Sequence, residues 1–164
     1  MNRALIQILK AVGAIVLLGI VAVFAVSPFI ARSKERVRRT YCMGCLSSLG
    51  KASVMYAMDH DGQFPSTWHD LAQEYANAPK LFDCLSNLNP PGEIAAVDEW
   101  SDFSLVPGLT TNDPPDTVLA FEPLENHRGR GANVLFLNTQ VRWVTPAEHK
   151  ELMKHIGRHQ SGGR

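Results

Sequence analysis

The sequence predicts an α+β protein in which a long N-terminal transmembrane helix packs, along its second half, on a small antiparallel β-sheet. Three observations carry that expectation. The segment 11–31, AVGAIVLLGIVAVFAVSPFIA, holds no charge and has about the 20 residues a helix needs to cross a bilayer. The stretch beyond it keeps helical apolar spacing and has no proline before Pro65. The last third holds three short β-branched or aromatic runs divided by turn residues. A chain of 164 residues leaves room for one globular domain after such an anchor.

Arg3 and Lys10 precede the apolar run, an arrangement shared by signal anchors and cleaved secretory signals. The run is longer than an ordinary signal core, and only a weak small-x-small site, Ala25-Val26-Ser27, precedes Arg32. An uncleaved anchor over residues 1–31 is therefore the expectation. Met1 to Thr40 carries seven Lys/Arg against one Glu, whereas Tyr41 to Arg164 carries nine against fifteen acids. The acidic C-terminal part argues against a nucleic-acid partner. Arg32, Lys34, Arg36, Arg38 and Arg39 follow the span, where they can meet anionic headgroups. Taken alone, this collar favours a cytoplasmic C-terminal side.

Residues 32–62 are expected to continue the same helix. Val37, Tyr41, Cys45, Leu49, Ala52 and Tyr56 recur every three or four positions as one apolar stripe. Pro28 is expected to bend the helix within the span. Asp59-His60-Asp61-Gly62, followed by Phe64-Pro65, ends it with a Gly and a downstream Pro. The domain then occupies 63–157, with Asn87 to Asp116, rich in Pro, Gly and Asp, read mainly as loops. Strands are expected over Thr117 to Pro123, Ala132 to Leu137 and Gln140 to Val144, the last two joined by a two-residue turn at Asn138-Thr139. Thr is a poor residue for the positive φ of such a turn. Thr145-Pro146-Ala147-Glu148 supplies an N-cap, a proline at the first helical position and a capping-box glutamate. The helix it opens is expected to stop before Gly157, leaving 158–164 as a disordered tail.

The chemistry-bearing residues admit functional and structural readings. Cys42-x-x-Cys45 is the spacing of a redox or metal pair, yet zinc needs four ligands and only Cys84 and scattered histidines remain. No metal or other cofactor is expected from this motif. Asp59, Asp61 and Glu122 are candidate oxygen donors for calcium, but the EF-hand glycine and distal glutamate are missing, and a helix-closing turn is preferred. Gly129 and Gly131 with Arg128 and Arg130 could face an anion, but a phosphate cradle runs into a helix and this stretch runs into a strand. His127 lacks a nucleophile at a motif spacing. The favoured reading is a hairpin approach in which His127 pairs with Glu122, and the protein is not expected to be an enzyme.

The hydrophobic N-terminal helix, ARSKERVRR, YCMGCLSSLGKASVMYAMDHDGQFP, a later LFDC and VLAFEPLENHRGRGANVLFLNTQVRWV together resemble bacterial pseudopilin-like proteins with a prepilin-type processing-associated C-terminal motif. In that family a His after a strand precedes a Gly-rich stretch, NVLF and an Asp-Gly turn. The resemblance implies a pilin-like fold and a single-pass inner-membrane anchor with a periplasmic domain. It implies a structural or accessory role in a type II secretion or pilus-like system, with other pseudopilins or secretion-system components as partners. Export is preferred over the orientation that the basic collar favours, because long domains override flanking charge and paired cysteines suit an oxidising compartment. Within this frame a disulfide between Cys42 and Cys84 pins the long helix to the domain, and Cys45 stands where the family carries Asn. Two departures matter. Gly13 is followed by Ala14-Ile15-Val16 with no acid before Glu35, and Asn138-Thr139 replaces the Asp-Gly. The N-terminal helix is accordingly expected to stay attached and unmethylated. The alternative function is a membrane-tethered periplasmic binding module that does not polymerise.

Overall fold

The structure is a computed structural model that describes residues 3–86 and 90–161. Residues 87–89, at the start of the expected loop region, and 162–164, at the end of the expected tail, lie outside the described residues. The chain forms two compact units, Met1–Val37 and Arg38–Arg164. Helix α1 covers Arg3–Asp59 and includes Pro28. In the first unit its apolar side chains are exposed all round, with Phe24 and Phe29 each at 75%. Lys10–Asp59 contains the one described helix that is long and apolar enough to cross a membrane.

In the second unit α1 buries one face, formed by Cys42, Cys45, Leu46, Leu49, Ala52, Ser53 and Ala57. This stripe is rotated from the expected one: Val37 is exposed, while Tyr41 and Tyr56 are half-buried at its margins. Burying Leu46 and Leu49 contributes about 1.5–3 kcal/mol each. Gly50 lets the sheet come close, since a Cβ there would stand 2.7 Å from Leu135 Cδ1. The helix closes with the Gly62 N–H donating to the Ala57 carbonyl at 2.9 Å. Asp61 takes the left-handed position at φ 51° and Gly62 follows at φ 79°, the six-to-one bond of a Schellman ending.

The sheet has four antiparallel strands in the order β1 (Ser104–Leu105), β2 (Val118–Phe121), β3 (Ala132–Phe136) and β4 (Val141–Val144). The α+β layout and all three expected strands are present. β3 is buried at every position. Leu135 meets α1 at Gly50, and on the opposite face Phe121, the cross-strand partner of Val134, meets His149 edge-on. That histidine lies on α4 (Pro146–Ser161), which opens with the expected capping box: the Thr145 N–H donates to Glu148 Oε2 at 2.7 Å. α4 continues past Gly157 to Ser161, so the segment expected to be a loose tail is helical up to that residue.

Two further regions differ from expectation. Asn87 to Asp116 is not only loop: it holds a 3-10 turn at Ile94–Ala96, helix α3 (Val97–Trp100) and β1. Ahead of it, helix α2 (Trp68–Glu74) begins with a Thr67–Asp70 capping box. Asp98 ties the two helices together by accepting the Trp68 N–H at 2.7 Å and the His69 N–H at 3.2 Å. The β3–β4 connection is a three-residue loop rather than a two-residue turn. The Phe136 N–H donates to the Gln140 carbonyl and the Thr139 N–H to the Phe136 carbonyl. Only Thr139 has positive φ, at 65°, which is the geometry of a type I turn followed by a left-handed residue. Asn138 serves it by accepting the Gln140 N–H on Oδ1 at 3.0 Å.

Candidate functional site

Four buried side chains from four parts of the sequence meet between α1 and the sheet. Cys42 comes from α1, Cys84 from the loop after the 3-10 turn at Pro79–Leu81, Glu122 from the end of β2, and His127 from the 3-10 turn Leu124–His127. All four are fully buried, and their ligand atoms lie within 4.8 Å of one another. The two sulfurs are 2.9 Å apart and not bonded. His127 Nε2 stands 3.2 Å from Glu122 Oε2.

Each member is held by its element. Glu122 turns its carboxylate back on the neighbouring strand, where Oε2 accepts the Asn133 N–H at 2.7 Å. The backbone carbonyl of Glu122 faces His149 Nε2 at 3.2 Å. Glu122 Oε1 is buried and has no hydrogen-bond partner among the described residues. Cys84 is fixed through its backbone, whose N–H donates to Asp102 Oδ2 at 2.7 Å. His127 meets the Trp143 ring edge-on at 5.1 Å, and the Arg39 guanidinium lies 3.7 Å from the centre of that same ring. Asn133 completes the wall by donating from Nδ2 to the Arg39 carbonyl at 3.2 Å.

The loop after His127 explains the Gly and Arg pattern. Arg128 takes the left-handed conformation at φ 57°, Gly129 follows at φ 70° and Gly131 lies at φ 148°. A Cβ on Gly131 would run into the Val144 carbonyl and the Trp143 ring. Gly131 therefore allows the loop to enter β3 beside the end of β4. The chain makes this entry from a single 3-10 turn into a strand, without the helix N-terminus that an anion cradle uses.

Electrostatics set the two clustered cysteines apart. Cys84 is held below the ordinary thiol value, first by the hydrogen bond from Cys42 and further by His127 and the Ser86 N–H. Cys42 is pushed up, chiefly because its thiol donates to Cys84, with burial and the Glu122 carboxylate adding to the rise. Cys45 lies apart from both, with its sulfur 3.6 Å from the Lys80 carbonyl, and burial pushes it up to about 11. The Cys-x-x-Cys spacing thus does not form a chelating or exchanging pair.

The candidate calcium donors do not converge. Asp59 Oδ2 accepts the Tyr75 hydroxyl at 2.7 Å, Asp61 serves the helix ending, and Glu122 belongs to the cysteine cluster. Among the described residues that cluster is the only group of three or more His, Cys, Asp or Glu side chains with converging ligand atoms. Asn138 and Thr139 form the far hairpin loop. Asn133, Trp143, Arg39 and Asp102 are the supporting residues that sequence reasoning missed; the Asn inside an otherwise apolar ANVLF strand was the one available signal. Comparison with protein-family models, curated proteins and solved structures returns no match for this chain.

Proposed function

We propose that this chain is a non-enzymatic, membrane-anchored pseudopilin-like subunit or accessory protein of a type II secretion or pilus-like system, with a pilin-like domain on the periplasmic side of the inner membrane. One observation carries the reading: α1 combines a part that is apolar on all sides with a part that buries a single apolar stripe in a small α+β domain. The first part suits lipid, where every backbone group must be satisfied within the helix. The second suits a helix laid on a sheet. The chemistry of the pair fits a structural role too, because Glu122 and His127 face each other at 3.2 Å and are both fully buried.

The test is in-membrane cross-linking followed by detergent extraction, affinity capture and mass spectrometry. Recovery of other pseudopilins or of an assembly platform is the expected result. Recovery of a soluble periplasmic ligand without any such component would replace this reading with a tethered binding module. The missing acid before Glu35 favours that second reading to one extent: the usual charge pairing between neighbouring subunits in a filament is not available to this helix.

A further inference from the structure

We propose that Cys42, Cys84, Glu122 and His127 form a structural zinc site that locks α1 to the sheet. The proposal is independent of whether the protein joins an assembly. It starts from the donor set: two sulfurs, one imidazole nitrogen and one carboxylate oxygen, all within 4.8 Å of one another and all fully buried. Four such donors with no open side describe a closed, four-coordinate site, in which zinc has a structural role. Calcium and magnesium require six or more ligands, nearly all of them oxygen, and are excluded by the sulfurs.

A second observation points the same way. Among the described residues Glu122 Oε1 is buried without a hydrogen-bond partner, although the other oxygen of the same carboxylate accepts the Asn133 N–H. A buried carboxylate oxygen left alone is costly, and a cation among the two sulfurs and the imidazole gives it a partner. The surroundings resemble an outer shell. Asp102 accepts the Cys84 N–H, and the Asn133 N–H orients the carboxylate. Such contacts fix ligands and tune their donor strength.

The geometry needs adjustments of about an ångström in both directions. With metal–ligand bonds of about 2.0–2.3 Å, the edges of a zinc tetrahedron measure about 3.3–3.8 Å. The Cys42 and Cys84 sulfurs at 2.9 Å would part by about an ångström or less, and any donor pair near the 4.8 Å limit of the cluster would close by about 1–1.5 Å. The rival chemistry is a Cys42–Cys84 disulfide, formed by loss of two protons and two electrons to an external oxidant. It would make no use of Glu122 and His127, whereas a zinc site requires both.

The experiment uses the full chain, extracted from membranes in detergent without chelator or reductant. Elemental analysis should find one zinc per chain. Alkylation in denaturant with chelator should then label all three cysteines. Replacement of zinc by cobalt(II) should give a thiolate-to-cobalt charge-transfer band and the strong visible bands of a tetrahedral ion. Glu122→Gln and His127→Gln should each weaken zinc binding by more than the ~10–100-fold typical of outer-shell losses, while Cys45→Ser should leave it unchanged. A zinc-free protein whose mass is lower by two hydrogens, with one cysteine open to alkylation, would overturn the proposal in favour of the disulfide. Unaltered zinc affinity in both Glu122→Gln and His127→Gln would overturn it as well. If those variants do not fold, zinc content and the cobalt spectrum of the unmodified chain still decide the matter.

Discussion

Between Val12 and Ile30, α1 exposes Ile, Val, Leu and Phe on every side, whereas between Cys42 and Met58 it buries one stripe and leaves Met55 and Met58 outside. Both stretches are helical and rich in apolar residues, so composition alone does not separate them. What differs is the periodicity. The first stretch has no polar face and is suited to a solvent that is apolar all round. The second interleaves Gly50 and Ser53 with Leu46 and Leu49, and at Gly50 the sheet closes on the backbone. A helix reveals its solvent by where its side chains are not apolar, more than by where they are.

Matched truncations test the difference between the two stretches most strongly. Leu46→Ala should lower the stability of the domain by about 2–5 kcal/mol, the usual cost of a cavity in a closed core. Leu18→Ala, at a position 70% exposed, should leave the same unfolding transition unmoved. Denaturant unfolding of the detergent-extracted chain, followed by tryptophan fluorescence, reads both. Equal effects would mean that the two stretches do not differ in solvent as described. A second test acts at the loop into β3: Gly131→Ala places a Cβ against the Val144 carbonyl at a φ of 148° and should cost about 1–3 kcal/mol. Gly129→Ala has open space around it and should cost less, with its own left-handed φ of 70° as the only penalty.

Smaller effects sit at the element ends. Thr145→Ala removes the cap of α4 and should cost about 1 kcal/mol. The backbone N–H and the hydroxyl of Thr145 hold the Glu148 carboxyl below its ordinary value of 4.5. A depressed folded-state pKa means that this stabilisation is fully present above that value and is lost as pH falls through the folded pKa. The penalty for Thr145→Ala should therefore shrink in melts recorded on acidification from neutrality. The smallest change is a gain: Thr139→Gly relieves a β-branched residue at φ 65° and should raise stability by up to about 1 kcal/mol. Asn138→Asp added to it should contribute little, because an aspartate can also accept the Gln140 N–H.

How legible each part was depended on the distance between the residues that define it. The long apolar N-terminal helix, the three C-terminal strands and the Thr145–Glu148 cap are local patterns, and they are where the sequence places them. Helix α2 was also locally encoded by Thr67 and Asp70, but its box uses Asp in place of the usual Glu and its seven residues leave little periodicity to count. The rotation of the α1 stripe arose because Val37 fits the spacing yet lies exposed. The hairpin loop was shortened by one residue because Leu137 reads as strand. The cluster was the least legible feature. Its four members are spread from Cys42 to His127 with no motif spacing among them, and the one local motif, Cys42-x-x-Cys45, drew attention to the sulfur that points elsewhere. The pairing of His127 with Glu122 could be suspected only from their neighbouring positions. The arrival of both cysteines at that pair is a product of the tertiary fold.

The proposed function rests on α1 staying attached to the domain as its membrane anchor, without the cleavage that prepilins undergo. Intact mass of the protein recovered from alkali-washed membranes tests it most directly. The expected result is a single species retaining the N-terminal helix, with no methylated new terminus and no loss beyond the initiator methionine. A product beginning near Ala14, or one released from the membrane and beginning near Arg32, would contradict it.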